Sequence, residues 1–255
     1  MRFASLGSGS KGNALLIEAG GTRVLLDCGF GPGEVSARMA RLGLEPSDLD
    51  AVIVTHEHGD HGDGVAKLAA RCDIPVYLTR GTLSGLGAEG RTIANAKLID
   101  ACTPFAIGGA QITPYTVPHD AREPVQFVIS DGAARLGVLT DTGCPTPHIA
   151  QALSGVDALV LECNHDLDML MSGPYPASLK NRVAGPMGHL ANAAAAELLQ
   201  AMDCSRLQHL IAAHLSETNN LPHLARAALA GALGCAEEWI GVATQEEGFA
   251  WREIR

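Results

Sequence analysis

Aromatic side chains are scarce here, 4% of 255 residues, and charged ones reach only 18%. The core must therefore be aliphatic, and a hydrophobic content of 47% is enough to build a sizeable one. That balance argues against a disordered chain. No run of 18 apolar residues occurs, so no membrane-spanning helix is expected. The opening Met1-Arg2-Phe3-Ala4-Ser5-Leu6-Gly7 is too short an apolar run for a secretory leader and runs into glycines, so the expected location is cytoplasmic.

Cysteine pairing is missing as well. The seven cysteines (28, 72, 102, 144, 163, 204 and 235) show no Cys-x-x-Cys spacing, which excludes a zinc knuckle and a dithiol redox motif. Most read as buried thiols; Cys144, three residues after Asp141, is the one nearest to chemistry. Basic residues are in deficit, 18 against 28 acidic ones, for a net charge of −10. Proteins that track a nucleic acid usually present a basic face, so the overall charge counts against that role. A local patch at Lys180 and Arg182 stays open, and a bound dication would reverse the potential where it matters.

What is present begins with strands. Residues 3–6, 14–18 and 24–27 read as short apolar strands, and 51–55 as a buried strand entering a histidine cluster. Further strands are expected at 74–78, 110–116, 125–130, 135–140, 158–162 and 210–213, with 239–244 and 249–254 as a closing hairpin. Helical patterns cover 33–42, 63–71, 176–184, 191–202 and 222–233. No repeat or linker interrupts residues 1–255, so one domain is expected, an α+β sandwich with sheets inside and helices outside.

Gly7-x-Gly9-x-x-Gly12 imitates a dinucleotide fingerprint, and Asp27 imitates its ribose-binding acid. That chemistry needs a helix opening at the third glycine. Here Ala14-Leu15-Leu16-Ile17 follows and reads as a strand, so the motif is a tight turn.

Thr55-His56-Glu57-His58-Gly59-Asp60-His61 sets three imidazoles and a carboxylate just past a buried strand. These ligands suit zinc, manganese or iron. In extended chain His56 and His58 point the same way and can grip one ion, while Asp60 and His61 can aim at a second position. His119, Asp141 and His214 each follow an expected strand, completing seven ligands for two divalent ions with an open position.

The motif His-x-His-x-Asp-His, with His119, Asp141 and His214, resembles the metallo-β-lactamase fold superfamily. The resemblance implies a four-layered αββα sandwich. It also implies His56, His58 and His119 on one metal, Asp60, His61 and His214 on the other, Asp141 bridging, and Asp27 supporting the ligands. Residues Ser8 to Asn13, Val117 to Pro124, Thr140 to Gly143, Glu162 to Asp166, Gly188-His189-Leu190 and Ala213 to Asn219 resemble the YycJ/WalJ subgroup. Cys163 stands where that subgroup commonly has serine, and Ala191 where it often has a larger residue. Its members are bacterial cytoplasmic proteins regarded as 5′-to-3′ DNA exonucleases, so DNA is the implied substrate and water activated by two metals the implied nucleophile.

Asp60 and Asp141 are the expected proton acceptors, and His165 and His189 the expected donors to the leaving oxygen. Each of these two histidines reads equally as a buried or capping residue. Glu162 is the expected partner of His165, and His189, just before a helix, is placed for an anion at the helix start. Ser216 and Asn219 either hold ligands or cap the next helix, and His148, His209 and His223 read as structural or surface residues. The acidic net charge favours a rival reading, a small-molecule hydrolase of a thioester, lactone or cyclic phosphodiester. A non-catalytic metal-binding protein is the third, and seven intact ligands weigh against it.

Overall fold

The computed structural model describes residues 1–255. One seven-stranded sheet holds β1 (Arg2–Gly7), β2 (Ala14–Ala19), β3 (Thr22–Leu26), β4 (Ala51–Ile53), β5 (Val76–Leu78) and β6 (Ala96–Leu98) in chain order, with β14 (Phe249–Glu253) beyond β1. The second sheet runs from β7 (Phe105–Ile107) through β8 (Ala110–Thr116), β9 (Val125–Ser130), β10 (Arg135–Leu139), β11 (Ala158–Glu162) and β12 (His209–Ala213) to β13 (Gly241–Val242). Both sheets are mixed: β3, β4, β5 and β6 run parallel, as do β10 to β13.

Period-two patterning assembles the layers. On β2, Leu15 and Ile17 face the other sheet while Ala14 and Leu16 face outward; on β11, Ala158 and Val160 face inward while Leu159 and Leu161 face outward. Both faces are buried, which is why these strands read as unbroken apolar runs. The inner core joins Phe3, Ile53, Ile112, Phe127, Leu136 and Ile211.

Outside the first sheet lie α1 (Pro32–Ala40) and α3 (Val65–Cys72), packing Val35, Met39 and Leu68 on it; the one-turn α2 (Gly59–Gly62) precedes α3, and α4 (Arg80–Gly85) and α5 (Gly87–Gly90) follow. Outside the second lie α6 (Pro147–Leu153), α9 (Asn192–Ala201) and α10 (Pro222–Leu233), with α7 (Leu167–Ser172) and α8 (Ala177–Val183) between β11 and α9. The order is helix, sheet, sheet, helix, as the expected αββα sandwich requires. No helix is long and apolar enough to cross a membrane.

The C-terminal segments depart from expectation. Residues 239–244 and 249–254 form no two-stranded hairpin: β13 pairs with β12 and β14 with β1, in opposite sheets. Only one bridge, Thr244 to Gly248, joins the turn between them. Each half finds more backbone partners and more core on a different sheet than on its neighbour. The short elements α4 to α7, β6 and β7 carry too few residues for a period to register.

The inner core predicts its own cost of damage. Phe127 is fully buried between the sheets, and Phe127→Ala is expected to lower unfolding stability by about 3–5 kcal/mol. Urea denaturation checks this; a loss under about 1 kcal/mol would contradict the inter-sheet packing.

Candidate metal centre

The parallel strands end at one edge and place the chemistry there. Asp27 follows β3, His56 lies three residues beyond β4, Asp141 two beyond β10, Glu162 ends β11, and His214 follows β12. Asp27, Asp141 and His214 take left-handed backbone conformations with φ of 61°, 51° and 53°. Such conformations cost roughly 1 kcal/mol or more for residues other than glycine and gather at functional sites. Gly29 lets the backbone pass close to the ligand loop: a Cβ there would lie 2.0 Å from the Asp60 carbonyl oxygen.

Two groups of donors converge. In the first, His58 Nδ1 lies 3.0 Å from His56 Nε2 and 3.1 Å from His119 Nε2. The outer nitrogens are engaged: His119 Nδ1 donates to the Gly188 carbonyl at 3.0 Å, and His56 Nδ1 meets Thr55 Oγ1 at 2.9 Å. Because Thr55 Oγ1 spends its own proton on Asp27, it accepts from His56. The inner nitrogens of His56 and His119 therefore present lone pairs. Tetrahedral ligands of one zinc stand roughly 3.3 Å apart, close to this spacing.

In the second group, Asp60 Oδ2 is 3.2 Å from His214 Nε2 and 3.5 Å from His61 Nε2. His61 Nδ1 is held by Asp27 Oδ2 at 2.7 Å. Asp141 sits between the groups, its Oδ2 2.5 Å from His61 Nε2 and its Oδ1 3.6 Å from His214 Nε2. Although buried, Asp141 Oδ2 makes no hydrogen bond. It and the His61 nitrogen face a shared point rather than each other, and an acceptor so orphaned calls for a cation. The donor set fits divalent metal ions: His56, His58 and His119 can hold one, and Asp60, His61 and His214 another.

The electrostatics agree. Burial opposes charging His61, yet Asp141, Asp27 and Asp60 hold its imidazolium well above the usual range. Burial likewise opposes ionising Asp141, and His214 and His61 pull its carboxyl well below the usual value. His56 goes the other way: burial, then the charge of His61, pushes it well down. Positive charge is demanded at the second group, where the carboxylates lie.

The structure brings all seven expected ligands together, but rearranges the residues around them. Glu162 does not orient His165. Its Oε1 lies 2.8 Å from His189 Nδ1, and its Oε2 accepts from the Thr142 N–H at 2.8 Å. The His189 ring turns into this acid pair, 3.0 Å from Asp141 Oδ1, and is not aimed at an anion at the start of α9. His165 is buried with only Asn164 Oδ1 near its Nδ1, at 3.4 Å, and burial lowers its pKa. The side chains of Ser216 and Asn219 neither hold a ligand side chain nor cap α10; Ser216 Oγ accepts from the Asn219 N–H at 3.1 Å within the loop. Cys144 lies against the Pro186 carbonyl, not on a donor group.

Two partners went unforeseen. Asn13 Nδ2 lies 3.2 Å from Asp60 Oδ2 and 3.1 Å from His61 Nε2. Asp120 Oδ1 is 3.6 Å from His119 Nε2, while its Oδ2 accepts from Arg182 Nε at 2.8 Å. Asn13 closes the Gly-rich turn and Asp120 follows His119; both lie in stretches that carry the subgroup resemblance, but neither residue's partner could be read from them.

Fold and donor set define a metal-dependent hydrolase. The chain belongs to the beta-lactamase superfamily, whose domain family matches residues 22–214. It is similar to exodeoxyribonuclease YycJ of Bacillus anthracis, 32% identical over 95% of this chain and 92% of that one. Exodeoxyribonuclease WalJ of Streptococcus pneumoniae serotype 2 is 30% identical over 94% of this chain and 91% of its own. Among solved structures, Zn²⁺-bound PqqB of Methylobacterium extorquens overlays the whole of both chains with a TM-score of 0.74 at 17% identity.

His189 offers a test that precedes any assay. Burial opposes its charge, but bonds to Asp141 and Glu162 push its pKa up to about 11. A folded-state pKa above the unfolded value contributes stability at neutral pH and below, lost as pH rises through about 11. In chelator-treated protein, histidine NMR shifts should show His189 charged throughout pH 6–9, and Glu162→Gln should move its midpoint down. A midpoint near 6.5 in the unaltered protein would contradict the geometry.

Proposed function

We propose that the protein is a dinuclear metal-dependent DNA exonuclease of the cytoplasm, acting 5′-to-3′, with residues 1–255 as one hydrolase domain. The observation that carries this is the near full-length similarity to two exodeoxyribonucleases in a chain whose candidate ligands converge at one edge of the sandwich. His56, His58 and His119 hold one ion, Asp60, His61 and His214 the other, and Asp141 lies between them. Zinc or manganese suits these ligands, and iron is compatible.

Two bound divalent ions lower the pKa of a water and polarise the phosphorus. The chain supplies the rest. Asp60 or Asp141 takes the proton released by the attacking water. His189 is the donor to the leaving oxygen: Glu162 and Asp141 hold its Nδ1 side, leaving Nε2 for the substrate. His165, whose pKa burial lowers, offers a hydrogen bond to the charge that develops on the phosphoryl oxygens rather than a proton to the leaving oxygen. Arg182 beside Asp120 and Lys180 on α8 bring positive charge next to the ligand loops of an otherwise acidic molecule.

Digestion of 5′- and 3′-end-labelled DNA, single- and double-stranded, with Mn²⁺ or Zn²⁺ added, tests the reading. Nucleotides should be released from 5′ ends, and Asp141→Ala should reduce cleavage by more than about 100-fold. Turnover of a lactone or thioester, abolished by His119→Ala, without DNA cleavage would replace the reading with the small-molecule one.

His189→Ala should cost about 10²–10⁴-fold in kcat while metal content stays at two equivalents. The loss should shrink on a substrate whose leaving group needs no proton. An equal loss on both substrates would remove His189 from the donor role.

A further inference from the structure

The turn at residues 8–13 touches the second donor group from above. Ser8 Oγ accepts from the His214 N–H at 2.9 Å. Asn13 reaches Asp60 and His61 through its side chain, and its N–H donates to the Asp60 carbonyl at 2.7 Å. Within the turn, Asn13 Oδ1 accepts from the Gly9 N–H at 2.9 Å and its Nδ2 donates to the Gly9 carbonyl at 3.1 Å, which leaves the Lys11 N–H and the Gly12 carbonyl to be held from outside. Gly9 and Gly12 have φ of 146° and 151°. Glycine in such conformations has the most freedom to lose.

A second constraint comes from the far end of the chain. Gln245, in the turn between β13 and β14, clamps the turn with both ends of its side-chain amide. Its Oε1 accepts from the Lys11 N–H at 2.8 Å and its Nε2 donates to the Gly12 carbonyl at 2.9 Å. The neighbouring Thr244 carbonyl accepts from the Ser8 N–H at 3.0 Å. Gly9 makes room for the clamp: a Cβ there would lie 2.6 Å from Gln245 Oε1. Gln245 is itself fixed, because Arg38 Nη1 donates to the carbonyls of Leu6, Gln245 and Glu246 at 2.7, 2.9 and 2.8 Å. The Arg38 guanidinium also lies 4.2 Å over the Phe30 ring. Both the 8–13 turn and Gln245 lie outside residues 22–214, the stretch matched to the superfamily domain.

We propose that Gln245 is a positioning residue for the Asp60–His61–His214 half of the metal centre. It acts through the Lys11 N–H and the Gly12 carbonyl, and so through Asn13, and makes no hydrogen bond to the His56–His58–His119 half. Partners one step removed from ligands typically change metal affinity 10–100-fold. Removing the clamp therefore weakens one ion and spares the other.

This rests on the two-metal reading above, and the experiment separates the two. Metal-stripped protein is titrated with Zn²⁺ alone, by calorimetry and by competition with a chelator of known affinity. The unaltered chain takes up two equivalents. Gln245→Ala keeps one affinity unchanged and loses about 10–100-fold in the other. Asn13→Ala weakens the same ion, and the double variant is no worse than Asn13→Ala alone, because both act along one path. Two ions at unaltered affinity in Gln245→Ala, equal weakening of both, or additive losses would overturn the role of Gln245. An unaltered chain that takes up fewer than two equivalents would overturn the two-metal reading and this inference with it. If Gln245→Ala does not fold, Gln245→Glu carries the same test. It keeps the acceptor for Lys11, loses the donor to Gly12, and must show the same one-sided loss.

Discussion

Four carboxylates, those of Asp27, Asp60, Asp141 and Glu162, lie among imidazoles at the meeting edge of two sheets, and three of them are almost wholly buried. Burying one carboxylate without a counter-charge is costly; burying several together demands cations between them. Every other feature of the site follows from meeting that demand. Asp27 takes the outer nitrogen of His61, Glu162 takes His189, and one buried oxygen of Asp141 is left without a hydrogen bond. The fold thus concentrates negative charge where the hydrolase needs metal, and turns a liability of burial into affinity.

The sandwich makes that concentration possible. Strands running parallel within each sheet deliver their last residues to one edge, and the inner core fixes the distance between the two sheets. Loops carry the candidate ligands, but these loops begin at strand ends, so the positions of those side chains inherit the rigidity of the core. The outermost contribution comes from the two extremities: the 8–13 turn accepts the His214 N–H, and the 244–248 turn lies on that turn. Splitting the last two strands between sheets is what carries Gln245 across the molecule to that point.

Much of this was legible in the sequence, for identifiable reasons. His56, His58, Asp60 and His61 announce themselves because short spacing past an apolar run leaves few other uses for four such residues. His119, Asp141 and His214 could be read because each abuts a strand, and strand ends are where a sheet builds sites. Asp27 was recoverable for the same reason. The partnership of Glu162 with His189 was not, since residues 27 apart in sequence meet only through packing, and nearness in sequence favoured His165 instead. The closing hairpin misled for a related reason: local pattern specifies two strands but says nothing of which sheet each will join. Gln245 left no trace at all, because a glutamine that binds two backbone groups resembles any surface glutamine until the fold is known.

The left-handed backbone at Asp27, Asp141 and His214 sets stability against function at single positions. Glycine would release the strain at each, and would delete a carboxylate or an imidazole that the centre relies on. Selection for heat resistance alone would therefore drift toward glycine at these positions and yield sturdier, inert proteins. A lineage that keeps Asp, Asp and His there accepts a less stable chain as the condition of remaining an enzyme.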